Sequence, residues 1–171
     1  MKSFFVFILL FGACGFTSET QAQAQDFIIP ENIELKSKED FVKTEKDVIN
    51  ASKWLELTPI GKEMGKRSKV NAFVLMWVTN SPTVSIVMNK LCTDLAEKNP
   101  DLIAVFLASY CRYVLENYYS TDDLKGYTAG VRGMINCYSL RGSIKRNQMI
   151  EKAAAAETDG RLEEWVKENM K

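Results

Sequence analysis

Apolar residues recur at three- and four-residue intervals through most of this chain, the period of a helix with one buried face. The first series is Phe41, Val42, Val48, Ile49, Trp54 and Leu55. It follows Ser37-Lys38-Glu39-Asp40, an opening of the capping-box type. Thr58-Pro59 offers an N-cap and a proline at the first helical position, which predicts a second helix from there to about Val78. Gly61 and Gly65 weaken its first part, so a break is expected near Gly65. Asn80-Ser81-Pro82 repeats the cap-then-proline pattern ahead of Val84, Val87, Met88, Leu91 and Leu95. The stretch Thr83 to Met88 is β-branched enough for a strand, but no partner strand is visible, so helix is expected. Asn99-Pro100 opens a fourth helix carrying Leu102, Ile103, Phe106, Tyr110, Tyr113 and Val114. Ser120-Thr121-Asp122-Asp123 makes a turn and cap before a fifth, with Leu124, Tyr127, Val131, Met134, Ile135 and Tyr138. Gly142 interrupts it, about Arg146 to Thr158 forms a sixth, and Leu162, Trp165, Val166 and Met170 mark a last short helix after Gly160.

Helices joined by short turns stack as antiparallel neighbours. The pattern therefore predicts an all-α fold, a compact orthogonal or antiparallel bundle of six to seven helices. It forms one domain over residues 25–171, with an extended N-terminal arm from Gln25 to Glu34. In that arm Phe27, Ile28 and Ile29 precede Pro30, which disfavours helix at Ile29 and leaves three apolar residues in need of cover.

The first 24 residues read differently. Met1-Lys2 gives a positive start, the run to Phe16 is apolar, and a polar tail ends in Ala22-Gln23-Ala24. This is the order of a secretory signal peptide, with cleavage expected between Ala24 and Gln25. The protein is then exported, periplasmic or extracellular. In the alternative, Phe11-Gly12-Ala13-Cys14 makes Cys14 the lipidated first residue of an anchored lipoprotein. No later stretch approaches the length of a membrane span, so no transmembrane segment is expected in the mature chain.

Charge is balanced at 22 basic and 22 acidic residues, and losing Lys2 and Glu19 with the leader keeps it so. A neutral chain has no global pull toward nucleic acid, and no nucleic-acid partner is expected. The chain has no histidine, which removes the commonest general base and the commonest zinc ligand. Cys92, Cys111 and Cys137 show no metal-ligand spacing. In a hairpin of helices three and four, Cys92 and Cys111 are offset by about 9 Å, beyond disulfide reach, and the turn near Thr121 separates Cys111 from Cys137 in the same way. Only Cys92–Cys137 stays open, and buried free thiols are expected. No catalytic residue, metal site or cofactor is predicted.

Three surface or stripe features remain. Gly126, Gly130, Gly133 and Cys137 fall on one stripe of the fifth helix, which predicts close helix–helix contact in preference to a ligand groove. Tyr110, Tyr113, Tyr118, Tyr119, Tyr127 and Tyr138 are dense in one third of the chain, with Arg112 and Glu116 among them. Half are expected to be core aromatics with wet hydroxyls, and Arg112–Glu116 an ordinary surface pair. Lys62, Lys66 and Lys69, beside Arg67, are read as a solvated basic helix face.

Trp54-Leu55 with Thr58-Pro59-Ile60, Asn71-Ala72-Phe73, Ser81-Pro82-Thr83-Val84 and Asn99-Pro100-Asp101-Leu102 carry a resemblance, as do Leu115-Glu116-Asn117, Gly130-Val131 and Gly160 with Leu162 and Trp165. On these residues the chain resembles a family of signal-peptide-bearing helical proteins of Bacteroidota-type bacteria for which no activity is known. The resemblance implies a Gram-negative setting and no particular chemistry. The expected function is thus a non-enzymatic exported domain that binds a protein partner or a small apolar ligand. The alternative is a histidine-free hydrolase that uses paired carboxylates on cell-wall or glycan material.

Overall fold

Ser37 starts the first helix as its sequence predicts. Its hydroxyl accepts the Asp40 amide at 3.3 Å while the Asp40 carboxylate accepts the Ser37 amide at 3.0 Å, closing a capping box. The computed structural model describes residues 27–31 and 33–170. Within them the elements are α1 (Lys38–Leu57), α2 (Met64–Asn80), α3 (Lys90–Ala96), α4 (Leu102–Glu116), α5 (Asp123–Ser139), α6 (Gln148–Thr158) and α7 (Leu162–Asn169). All seven are helices packed around one core, and the described residues hold no strand. The expected cleavage site at Ala24–Gln25 and the start of the arm lie outside the described residues. Phe27 is buried and stacks on Phe73 of α2, with ring centroids 6.5 Å apart. None of the described helices is long and apolar enough to cross a membrane.

Three predicted caps do other work. Thr58 does not open a helix; it ends α1, and Pro59 to Glu63 form the turn into α2, with Gly61 and Glu63 at positive φ. The break expected near Gly65 coincides with the start of α2, of which Gly65 is the second residue. Ser81 does not start a helix over Thr83 to Met88. Its hydroxyl accepts the amides of Thr83 and Val84 in a local turn, and Asn89 caps α3 through the Cys92 amide. The β-branched run between them has poor helix propensity and forms neither helix nor ladder.

Asn99 is buried and does not cap α4, whose N-cap position is Asp101. Its amide nitrogen donates to the Lys145 carbonyl at 2.8 Å and its oxygen accepts the Lys145 amide at 2.7 Å. Asn147, also buried, accepts the amides of Met149 and Ile150 to cap α6, and donates to the carbonyls of Asp94 and Leu95 at the end of α3. These two asparagines tie the loop before α6 to the α3–α4 corner, satisfying backbone groups that would otherwise be stranded.

The most extensive pairing is α4 against α5, and the glycine stripe makes it. A Cβ at Gly126 would lie 2.5 Å from the Tyr110 ring, and one at Gly130 would lie 2.5 Å from the Phe106 ring. Phe106 is wholly buried and cannot swing away. The stripe is therefore a packing surface. We predict that Gly130→Leu lowers the urea midpoint: overpacking costs about 1–3 kcal/mol, against a propensity gain of roughly 0.8–1 kcal/mol for losing glycine. A raised midpoint would refute the packing assignment.

Candidate functional site

Among the described residues one carboxylate is buried, where three helices meet. Glu56, near the end of α1, is 5% exposed. Its Oε1 accepts hydrogen bonds from Ser109 Oγ at 2.7 Å and Ser52 Oγ at 3.3 Å, and pairs with Arg112 Nη2 at 2.8 Å. Its Oε2 accepts from Asn136 Nδ2 at 3.3 Å. Ser52 belongs to α1, Ser109 and Arg112 to α4, and Asn136 to α5. Gly133 makes the room: a Cβ there would overlap Ser109 and lie 3.1 Å from the Glu56 carboxylate. Every oxygen of this carboxylate is engaged, as burying a charge requires.

Arg112 thus does not make the ordinary surface pair expected with Glu116, which it meets only at 4.0 Å. Its main partner is Glu56, which the sequence reading passed over. A signal existed: Val48, Ser52, Leu55 and Glu56 share the inner stripe of α1.

Arg67 corrects the basic face. It is 3% exposed and turns inward, leaving Lys62 and Lys69 in solvent. Lys62 is in the turn before α2 rather than on the helix. Arg67 Nη2 donates to the carbonyl of Thr58 and, at 3.5 Å, to that of Leu55. The last turn of α1 carries no basic residue of its own, so α2 supplies the cation that its C-terminal dipole favours. The guanidinium carbon lies 5.5 Å from the Trp54 ring centroid, a cation–π contact. Arg67 Nε and Nη1 are buried without a hydrogen-bond partner, which makes the ring contact the more important.

The tyrosines divide as expected. Tyr110, Tyr127 and Tyr138 are buried. Tyr110 and Tyr127 meet edge to face at 5.6 Å, and both lie against Phe106. Their hydroxyls reach polar partners at the rim, Asp123 Oδ1 at 2.8 Å for Tyr110 and the Val87 carbonyl for Tyr127. Tyr118 and Tyr119 are exposed and both sit at positive φ, and the Tyr119 hydroxyl donates to Glu45. A groove of about 270 Å³ runs between Thr83–Ser85 and Tyr119–Thr121.

Cys92, Cys111 and Cys137 are free and buried, including the Cys92–Cys137 combination left open by spacing. Burial pushes the thiols up from 9.0 to about 11 at Cys92, about 12 at Cys111 and about 11 at Cys137, where the nearby Arg67 charge acts in the opposite sense. They are protonated at neutral pH and are poor nucleophiles. Among the described residues no three acidic or cysteine side chains gather as a metal-holding group.

The outer surface carries a different feature. A groove of about 620 Å³ lies along α2, bounded by Ile60, Met64, Asn71, Ala72 and Leu75, with Asp101 and Ser143 on its far side. Met64 is 70% exposed, Leu75 43% and Met76 42%. Met64, Ser68, Ala72 and Leu75 follow one another at helical spacing along one outward stripe. Compared with known protein families, characterised proteins and solved structures, the chain matches none.

Two outcomes follow from the buried groups. Glu56→Ala leaves Arg112 and Asn136 without this acceptor, Ser109 keeping the Val105 carbonyl at 2.8 Å, and should lower stability by about 3 kcal/mol in urea titration. Glu56→Ala within about 0.5 kcal/mol of the parent would show that the network carries no stability. The three thiols, with raised values in the folded state, should also give an alkaline weakness. The unfolded chain releases these protons first, so their contribution is complete below pH 9 and is lost as pH rises from 9 toward 12. Tyr110, raised by burial and then by its bond to Asp123, acts in the same direction above pH 10. The urea midpoint should fall steadily from pH 9 to pH 11, and a flat midpoint across that interval would contradict the buried-thiol assignment.

Proposed function

We propose that this protein is an exported, non-enzymatic helical domain that takes an apolar segment of a protein partner in the α2 groove. The observation that carries the reading is the outward stripe of Met64, Ala72 and Leu75 along a groove of about 620 Å³. Exposed methionine and leucine beside a concavity is the composition of an interaction surface, and polarizable methionine adapts to varied partners. At the polar edge of the groove Asn71 Nδ2 donates to Asp101 Oδ1 at 3.3 Å, which leaves the other Asp101 oxygen as an acceptor that would orient a peptide.

The interior argues in the same direction. The buried groups with acid, base or nucleophile chemistry are engaged elsewhere: Glu56 by four donors, the thiols by burial, Tyr110 by Asp123. Tyr110 and Tyr127 pack on each other and on Phe106, and the groove of about 270 Å³ beside Tyr110 and Tyr119 is less than half the volume of the α2 groove, which favours the partner over the carrier form of the reading. The leader ending in Ala22-Gln23-Ala24 supports export.

The test is photo-cross-linking in the native cell, with a photoreactive residue at Leu75 and a control at Glu163 on α7. Position 75 should give a discrete adduct of one added protein mass, weakened by Met64→Glu, while position 163 gives none. No adduct at 75, or the same adducts at both positions, would overturn the assignment of the groove.

A further inference from the structure

Buried side-chain polar atoms without a hydrogen-bond partner are few in a folded chain, and each calls for a cause. Among the described residues they are Thr58 Oγ1, Arg67 Nε, Arg67 Nη1 and Asn71 Oδ1. They gather around Arg67. Its Nη2 donates to the Thr58 carbonyl, and Asn71 stands four residues on, one turn along the same face of α2. Arg67 and Asn71 both line the α2 groove, and Arg67, 3% exposed, is the buried part of its wall. Asn71 Nδ2 donates to Asp101 Oδ1 at 3.3 Å, which fixes the amide so that its oxygen is the atom left over.

Arg67 is also a buried charge held only by neutral groups. Nη2 goes to the carbonyls of Thr58 and Leu55, and the guanidinium lies over the Trp54 ring. Cys137 beside it is a thiol kept protonated by burial, and a weak acceptor. Asp101 lines the same groove, but its printed partner is Asn71 and not Arg67. A buried cation is costly until an anion with good geometry meets it.

We propose that the α2 groove reads a carboxylate. The partner segment lays an apolar side chain on the stripe of Met64 and Leu75, brings a carboxylate to Arg67, and gives the N–H next to it to Asn71 Oδ1. The inference rests on the reading of this groove as a partner site and names the chemistry that it selects. Arg67 Nε and Nη1 are donors only, so an anionic acceptor matches both their hydrogens and their charge. A neutral apolar segment would close over the same atoms and leave them stranded. A cationic segment would meet the like charge of Arg67.

Blocked amino acids test this on the whole protein. N-acetyl-leucine carries the carboxylate at a chain end, and N-acetyl-leucyl-aspartate amide carries it on a side chain. N-acetyl-leucinamide and the asparagine counterpart are the neutral controls. In titrations to about 50 mM followed by nitrogen–proton correlation spectra, one acid should bind about tenfold tighter than its control, which identifies the source. It should also move the Arg67 Nε–H and the Asn71 side-chain resonances. Arg67→Lys keeps a cation at the end of α1 but loses Nε–H, and should abolish the preference with unchanged helical circular dichroism. Asp101 is exposed, and Asp101→Asn removes the acidic charge that lines the groove, so it should strengthen the acids about threefold. Acids that bind no tighter than their controls overturn the inference. So does a preference that leaves the Arg67 Nε–H unmoved, survives Arg67→Lys or weakens in Asp101→Asn. A cross-link at position 75 without an acid preference keeps the groove and strikes this inference. An acid preference without that cross-link strikes the protein partner and keeps the carboxylate site.

Discussion

The close approach of α4 and α5 is the constraint on which the rest of the molecule depends. Three glycines on α5 let aromatic rings and a serine of α4 come where side chains would otherwise stand. Each glycine in a helix interior costs about 1 kcal/mol of propensity, so the packing it permits must return more than that. The return has two parts. Toward one end Phe106, Tyr110 and Tyr127 fill the gap with large, stiff rings. Toward the other, Gly133 leaves room for Ser109 to reach Glu56, so a carboxylate from α1 can be buried at the seam with a donor from each of the three helices.

That seam also decides where function can be sought. A buried acid, three thiols and a cluster of tyrosines suggest chemistry when read along the sequence. In the fold each is consumed by packing or by an internal hydrogen bond. Arg67 Nη2 and the guanidinium face are spent in the same way, on the carbonyl end of α1 and the face of Trp54. The stripe along α2, by contrast, lies on the outer surface beside a groove of about 620 Å³.

The fold was legible wherever a residue's local chemistry agreed with its tertiary setting. Ser37 caps because Asp40 stands three residues on, and the glycine stripe announces close contact because no alternative uses three small residues at helical spacing so well. Thr58 and Asn99 misled because a cap residue before proline also serves a turn, and the choice between the two is made by distant partners: Arg67 on the Thr58 carbonyl, Lys145 on the Asn99 amide. Thr83 to Met88 reads as helix or strand by propensity and is neither, because Tyr127 and Ser81 hold it extended with no ladder beside it. Arg67 could have been placed from sequence, since it shares a face with Val70, Val74 and Trp77, all buried. Glu56 could have been flagged as a charge on a buried stripe, but its partners at Ser109 and Asn136 are 53 and 80 residues away, beyond any local pattern. The α2 groove left no signal at all, because Met64 and Leu75 look like core residues until the helix is turned.

Native-state hydrogen exchange is the most direct test of the claim that the α4–α5 seam organises the molecule. Slowest-exchanging amides in the middle of both helices should share one free energy of opening, equal to that of global unfolding from urea titration, and should fall together when denaturant is added. Middle amides of α5 that open well below the global value, while α4 stays protected, would contradict the account and place the organising contact elsewhere.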